Sequence, residues 1–203
     1  MLSKYAQAVI VGLGLISGLI YLFNFKLHPY FAPFGFISNT GIQFYIFLFI
    51  ILSALYSTGI YLVFKHRSFW KHSKAMVFVI IIFAVIFRAC LLPADPSVLS
   101  KDMYRYIWDG RVQQNGFNPY QHPPDAAELK ELRDTEVYPN IIRKSDPTLY
   151  PPGAQIFFRL FNIIVGESVF GYKGMMTLFA VVTLFVLLAL LRIKGFDETR
   201  LII

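Results

Sequence analysis

The chain has 203 residues, of which 56% are hydrophobic, 17% aromatic and only 15% charged, with a mean hydropathy of +0.56. Soluble domains run at about 45–50% apolar and about 25% charged, and a fold of this length has too little interior to hide the excess, so a water-soluble globule is excluded. The net charge of +7 comes from dispersed basic residues, which argues against nucleic acid as a partner, and a single cysteine, Cys90, excludes a disulfide framework or a thiolate metal cluster.

Three apolar runs precede residue 94, at Tyr5–Phe23, Ile42–Phe64 and Ala75–Leu92, and a fourth, Tyr172–Leu191, follows a polar middle. Each is close to the ~20 residues that cross a ~30 Å hydrocarbon core. Lys4 precedes the first run, but that run lacks a small-residue cleavage site and reads as an uncleaved span rather than a signal peptide. Gly12, Gly14 and Gly18 lie inside it, where small residues serve helix packing. The expected fold is therefore an all-α, polytopic transmembrane bundle of about four spans. Residues 1–93 hold the first three spans, 94–170 form a large external loop with interfacial helices, and 171–203 carry the fourth span and a tail.

Charge sets the expected orientation. The connection Lys65–Lys74 carries Lys65, Arg67, Lys71 and Lys74 with no acid, and the tail carries Arg192, Lys194 and Arg200. Both read as cytoplasmic. Residues 1–93 contain no acid at all, and ten of the twelve acids lie between Asp95 and Glu167. Segment 94–170 then falls on the outer face, with both termini inside. The run Ala154–Val165, about 18 Å long as a helix and interrupted by Arg159, must lie along the interface instead of crossing. The tail Gly195–Ile203 has Asp197 and Thr199 as possible caps and then turns apolar, which reads as the start of a further element and hence as part of a longer protein.

The external segment is long but keeps Tyr104, Tyr106, Trp108, Phe117, Tyr120, Tyr138 and Tyr150, too aromatic for disorder. Its first part predicts a helix entered at Ser100 and stopped by Gly116 and Asn118-Pro119. Asp102, Arg105 or Tyr106, and Asp109 recur on it at helical spacing, so both carboxylates share one face, while Met103, Ile107 and the Tyr104/Trp108 pair bury another. Asp102, near the helix start, is the stronger candidate for a general base, although a first-turn acid is also favoured by the helix dipole alone. Asp109, four residues after Arg105, suggests a structural pair. Arg111, Arg143 and Lys144 could hold a phosphate, and equally could face anionic lipid. Arg88 is a charge within a span; it snorkels or meets an anionic group near Asp95 and Asp102.

Asp125–Glu136 alternates acids and bases around Leu129 and Leu132 and predicts a solvated amphipathic helix. Pro151 and Pro152 suit the first turn of the interfacial helix and would fix Tyr150 at its mouth, with Tyr150 and Gln155 as candidates for substrate contact. His28, His66, His72 and His122 have no zinc spacing, and no phosphate-cradling glycine loop occurs.

Ser100-x-Asp102-x-Tyr104-Arg-Tyr106-x-Trp-Asp-Gly-Arg111, then Gly116-x-Asn-Pro-Tyr120, then Tyr150-Pro-Pro-x-Ala-Gln155, resembles the bacterial polytopic glycosyltransferases of the glycosyltransferase C superfamily. The similarity is greatest to the polyprenyl-phosphate-mannose-dependent mannosyltransferases and covers roughly residues 75–192. It implies an inner-membrane hexosyltransferase that moves a sugar, mannose as first choice, from a polyprenyl-phosphate donor to a glycan or glycolipid hydroxyl on the outer face. Inversion at the anomeric carbon is implied, with Asp102 as general base. Arg88, Arg105, Arg111 or Arg143 would neutralise the departing phosphate. Members usually have many more spans, and here Lys101 and Met103, not a second acid, flank Asp102. No cofactor is implied with certainty, and a divalent metal stays open. A transporter or flippase component that recognises a lipid-linked sugar without chemistry is the alternative; it predicts charges within spans and broken spans in symmetric halves, against which stand the scarcity of such charges, Arg88 among them, and the lack of a repeat.

Overall fold

The computed structural model describes residues 2–31, 39–66, 73–94 and 100–202. Residues 67–72 of the basic connection, and Asp95, lie outside the described residues. Six α-helices follow in order: α1 Leu2–Phe31, α2 Asn39–Lys65, α3 Lys74–Leu91, α4 Asp102–Gln114, α5 Pro152–Val165 and α6 Val169–Ile193. Short 3₁₀ turns cover Ala127–Leu132, Tyr138–Asn140 and Glu198–Ile202, and no strand occurs among the described residues. Within α2, α3 and α6, the segments Gln43–Lys65, Lys74–Leu91 and Val169–Ile193 are long and apolar enough to cross a membrane. Gln7–Phe23 within α1 is a shorter apolar stretch of 10–17 residues. The chain is an all-helical membrane protein.

Contacts divide the chain into two compact units, residues 1–94 with 177–203, and residues 95–176. In the first, α1 packs on α2 and on α3. Ser73 starts α3 by accepting the Met76 N–H on its Oγ at 3.3 Å, which satisfies one of the orphan donors of a helix N-terminus. Gly14 is a point of close approach: a Cβ there would meet the Phe83 ring of α3 at 2.5 Å, so the small residue sets how near the two helices come. The core of this unit is Ile10, Val63, Met76, Val77, Ile80, Leu188 and Leu201. Phe49, Phe78 and Phe185 remain more than half exposed, the arrangement of a bundle whose outer solvent is lipid.

The tail does not run free. The Asp197 carboxylate accepts the Thr199 amide at 3.1 Å and its hydroxyl at 2.8 Å, a local cap that starts the turn Glu198–Ile202. That turn packs on α3, buries Leu201, and presents its Ile202 carbonyl to the Tyr56 hydroxyl at 3.0 Å. Asp197 is thus the cap; Thr199 is what it caps.

In the second unit α4 and α5 form the main packed pair, over a core that includes Ile107, Trp108, Val112, Leu129, Phe158, Phe161 and Tyr172. The segment Asp125–Glu136 departs from the expected amphipathic α-helix. It contains one 3₁₀ turn, Ala127–Leu132, closed by an extended Arg133. Burial of Leu129 and capture of the Ala126 carbonyl by Arg133 Nη2 at 2.8 Å override the helical spacing of its charges.

Candidate active site

The site region is built on the first turns of α4. Ser100 Oγ accepts the Asp102 N–H at 3.1 Å, Lys101 takes the cap position, and Asp102 is the acid of the first turn, where the helix dipole favours a negative charge. At the other end Gly116 adopts φ +81°, a conformation that costs glycine little. The two carboxylates expected to share a face have opposite surroundings. Asp102 is exposed and its carboxylate has no hydrogen bond or ion pair among the described residues. Asp109 is 1% exposed.

Asp109 anchors a buried polar network. Arg105 Nε donates to its Oδ1 at 2.8 Å, and Gln155 Nε2 donates to its Oδ2 at 2.7 Å. Gln155 also donates to Thr148 Oγ1 at 2.8 Å and accepts from Gln113 Nε2 at 2.7 Å. The remaining Arg105 N–H groups reach the carbonyls of Arg143 at 3.5 Å and Asp146 at 3.0 Å. Gln155, a candidate for substrate contact by sequence, thus has its amide occupied by protein partners, and the Arg105–Asp109 pair is a buried one rather than a surface pair.

Arg111 makes a second tie. Its Nε donates to Glu167 Oε1 at 2.8 Å, Nη1 to the Leu132 carbonyl at 2.8 Å, and Nη2 to Asp134 Oδ2 at 2.6 Å and to Glu167 Oε2. Asp134 also accepts the amides of Val137 and Tyr138 at 2.9 and 2.8 Å. Burial alone would raise the Asp134 carboxyl, but the Arg111 guanidinium and these two amides outweigh it and hold it below the ordinary carboxylate value. One arginine therefore binds α4 to two distant segments of its unit.

α5 starts where the prolines place it. Pro151, at φ −64° and ψ 155°, is the cap and Pro152 the first helical residue; neither has an amide proton to leave unpaired there. Gly166, at φ +66°, ends the helix. The inner face of α5 meets α4 closely at Gly110, where a Cβ would lie 2.6 Å from the Phe158 carbonyl oxygen. Asn162 Nδ2 donates to the Ile107 carbonyl at 3.0 Å while its Oδ1 accepts from the Tyr172 hydroxyl, which also reaches the Phe158 carbonyl at 2.8 Å. The outer face exposes Ile156, Leu160, Ile163 and Ile164.

Beside Asp102 stands an aromatic group that the sequence reading named without giving it a role. Tyr106 lies four residues on, its ring edge-on to that of Tyr150 with centroids 4.9 Å apart. Burial first, and the Asp102 charge in addition, raise both phenols above their ordinary value; for Tyr150 the Tyr106 hydroxyl adds to this. The clue in the sequence is the i, i+4 interval from Asp102 to Tyr106, since it puts both on one helix face; the pairing with Tyr150, 44 residues further along, has no local signal.

Arg143 is exposed, at φ 56°, and Lys144 lies over the Tyr138 ring at 5.1 Å. Arg88 belongs to the other unit, in the last turn of α3, with Nη1 on the Ala84 carbonyl at 2.9 Å. No group of three or more His, Cys, Asp or Glu side chains able to hold a metal ion occurs among the described residues. Asp102 has no second carboxylate directly beside it in sequence.

No curated protein and no solved structure matches the chain. The model of the MptA/B family, described as the alpha-(1->6)-mannopyranosyltransferase N-terminal domain, matches residues 7–194. That match spans nearly the whole chain, bears out the resemblance carried by the motifs between Ser100 and Gln155, and extends it through all the apolar helices. The chain belongs to this family of mannosyltransferases, membrane hexosyltransferases that use polyprenyl-phosphate mannose.

Proposed function

We propose that this chain carries the acceptor-activating half of an inverting mannosyl transfer at the outer surface of a bacterial inner membrane, with Asp102 as the general base. The supporting observation is the contrast along α4: the Asp109 carboxylate is buried in two polar contacts, while Asp102 is exposed at the positive end of the same helix with its carboxylate uncommitted among the described residues.

In this reading Asp102 removes the proton from the acceptor hydroxyl as that oxygen attacks the anomeric carbon of mannose. The bond from that carbon to the phosphate oxygen breaks, its electron pair leaves with the polyprenyl phosphate, and one displacement inverts the centre. The α-(1→6) linkage in the family's description supports a sugar 6-hydroxyl as the acceptor, borne by a glycan or glycolipid. A base within hydrogen-bond reach contributes about 10²–10⁴-fold, and cations at the departing phosphate add fixed electrostatic stabilisation. Arg105 and Arg111 hold internal partners, so Arg143 is the better candidate for that charge. Tyr150 is retained as a substrate contact, whereas Gln155 supports α4 from within. The outward apolar residues of α5 favour a helix lying in the membrane interface, three residues before α6 begins.

The test is mannose transfer by the full-length protein in proteoliposomes supplied with polyprenyl-phosphate mannose. Asp102→Asn and Asp102→Ala are expected to lose about 10²-fold or more in kcat with unaltered insertion and melting. Transfer at the unmodified rate by either variant contradicts the assignment.

A further inference from the structure

Tyr106 lies one turn after Asp102 on α4. Long side chains on a helix lean back over the preceding turn, so the Tyr106 ring runs toward the position Asp102 occupies. Its orientation is fixed from two sides. The ring stacks on Phe158 with centroids 4.6 Å apart and planes at 13°, and Tyr150 meets it edge-on at 4.9 Å and 80°. Tyr150 is in turn edge-on to Phe158 at 5.6 Å, and its carbonyl accepts the Tyr120 hydroxyl. Each phenol carries one proton to donate, and that of Tyr106 is committed to no carbonyl or carboxylate among the described residues. The Asp102 carboxylate one turn away is exposed.

We propose that Tyr106 is a positioning residue for Asp102: clamped between Phe158 and Tyr150, its hydroxyl donates to one carboxylate oxygen when acceptor docks, leaving the other oxygen aimed at the acceptor proton. The inference rests on Asp102 being the base. Burial and the Asp102 charge both keep the two phenols protonated, so the donor is present throughout the working range. The charged groups that bear on the pair are Asp102 and Arg105. Arg105 is held by Asp109 and by the carbonyls of Arg143 and Asp146, and neighbouring Lys101 is held by Asn140 Oδ1 at 3.3 Å. Neither cation substitutes for the missing donor.

The experiment compares Tyr106→Phe, Tyr150→Phe and Asp102→Asn in the full-length protein, following mannose transfer from polyprenyl-phosphate mannose against pH. Phenylalanine keeps the ring contacts, so the fold is preserved and only the hydroxyl is lost. Tyr106→Phe is expected to lower kcat about tenfold at unchanged donor KM. A donor to a carboxylate stabilises its charged form, so its loss raises the Asp102 pKa and moves the acid limb of kcat/KM up by about one pH unit. Tyr150→Phe, which removes the neighbouring hydroxyl that competes for the Tyr106 proton, is expected to move the same limb in the opposite direction by less. An unshifted limb in Tyr106→Phe overturns the inference, whether or not kcat falls, because a merely structural tyrosine leaves the base's titration alone. If Tyr106→Phe fails to insert, the Tyr150→Phe limb decides in the same way. Full activity in Asp102→Asn refutes the base itself, a result distinct from an inactive Asp102→Asn beside a Tyr106→Phe with the unmodified pH profile.

Discussion

Asp102 and Asp109 stand seven residues apart in opposite environments, one exposed and one buried, a contrast that supports the different work proposed for them. A carboxylate in contact with a guanidinium and an amide has lost the lone pairs a base would use; one at an exposed helix start keeps them. Removing Asp109 should therefore damage the fold. Asp109→Ala leaves the Arg105 guanidinium buried without its counter-charge, and breaking such a pair costs about 3–5 kcal/mol. Chemical unfolding of the protein in nanodiscs is expected to report a loss of that order, and a loss under about 1 kcal/mol contradicts the buried network. The i, i+4 spacing of Arg105 and Asp109 is readable in the sequence, since it needs only the helix. The burial is not, because it depends on Gln155 and Thr148, which arrive from 46 and 39 residues further along. Tyr106 was hidden for the same reason: half of its meaning lies in Tyr150.

At the scale of elements, the helices were readable wherever apolar periodicity or a proline pair decided them. α4 begins two residues after Ser100 and ends before Gly116, and α5 begins on Pro152, as capping and proline chemistry require. The failure falls on Asp125–Glu136, where charges at helical spacing suggest an α-helix. There Asp134 turns to Arg111 and to the Val137 and Tyr138 amides, and tertiary partners replace the i, i+4 pairs a helix would use. This tie carries a pH dependence. The Asp134 pKa is depressed in the folded state, so its stabilisation is complete above the ordinary aspartate value of about 3.9 and fades as pH falls below it toward the folded value. The gap in thermal midpoint between the unmodified protein and Asp134→Asn is expected to be constant from pH 7 to about pH 5 and to narrow below about pH 4. A gap that stays constant to pH 3 would show that the Arg111 clamp does not depend on the Asp134 charge.

For the whole molecule, composition alone fixes the class, because so much apolar surface with so few charges leaves lipid as the only matching solvent. The four apolar runs reappear as α1, α2, α3 and α6. The division into two units, with α6 beginning in one and continuing in the other, is a property of long-range contacts and has no counterpart in local sequence. The tail is a similar case: its capping aspartate is legible, its packing on α3 is not. What the mannosyl-transfer account requires of the whole is an address, since Asp102 must face the side where a lipid-phosphate sugar meets its acceptor, opposite the basic connection at 65–74. The most direct test is compartment labelling of Asp102→Cys in a Cys90→Ser background, with Ser68→Cys as the opposite-side control, using a membrane-impermeant maleimide on intact spheroplasts. The account predicts that position 102 reacts from outside while position 68 reacts only after the membrane is opened; the reverse pattern would place the carboxylate in the cytoplasm and contradict it.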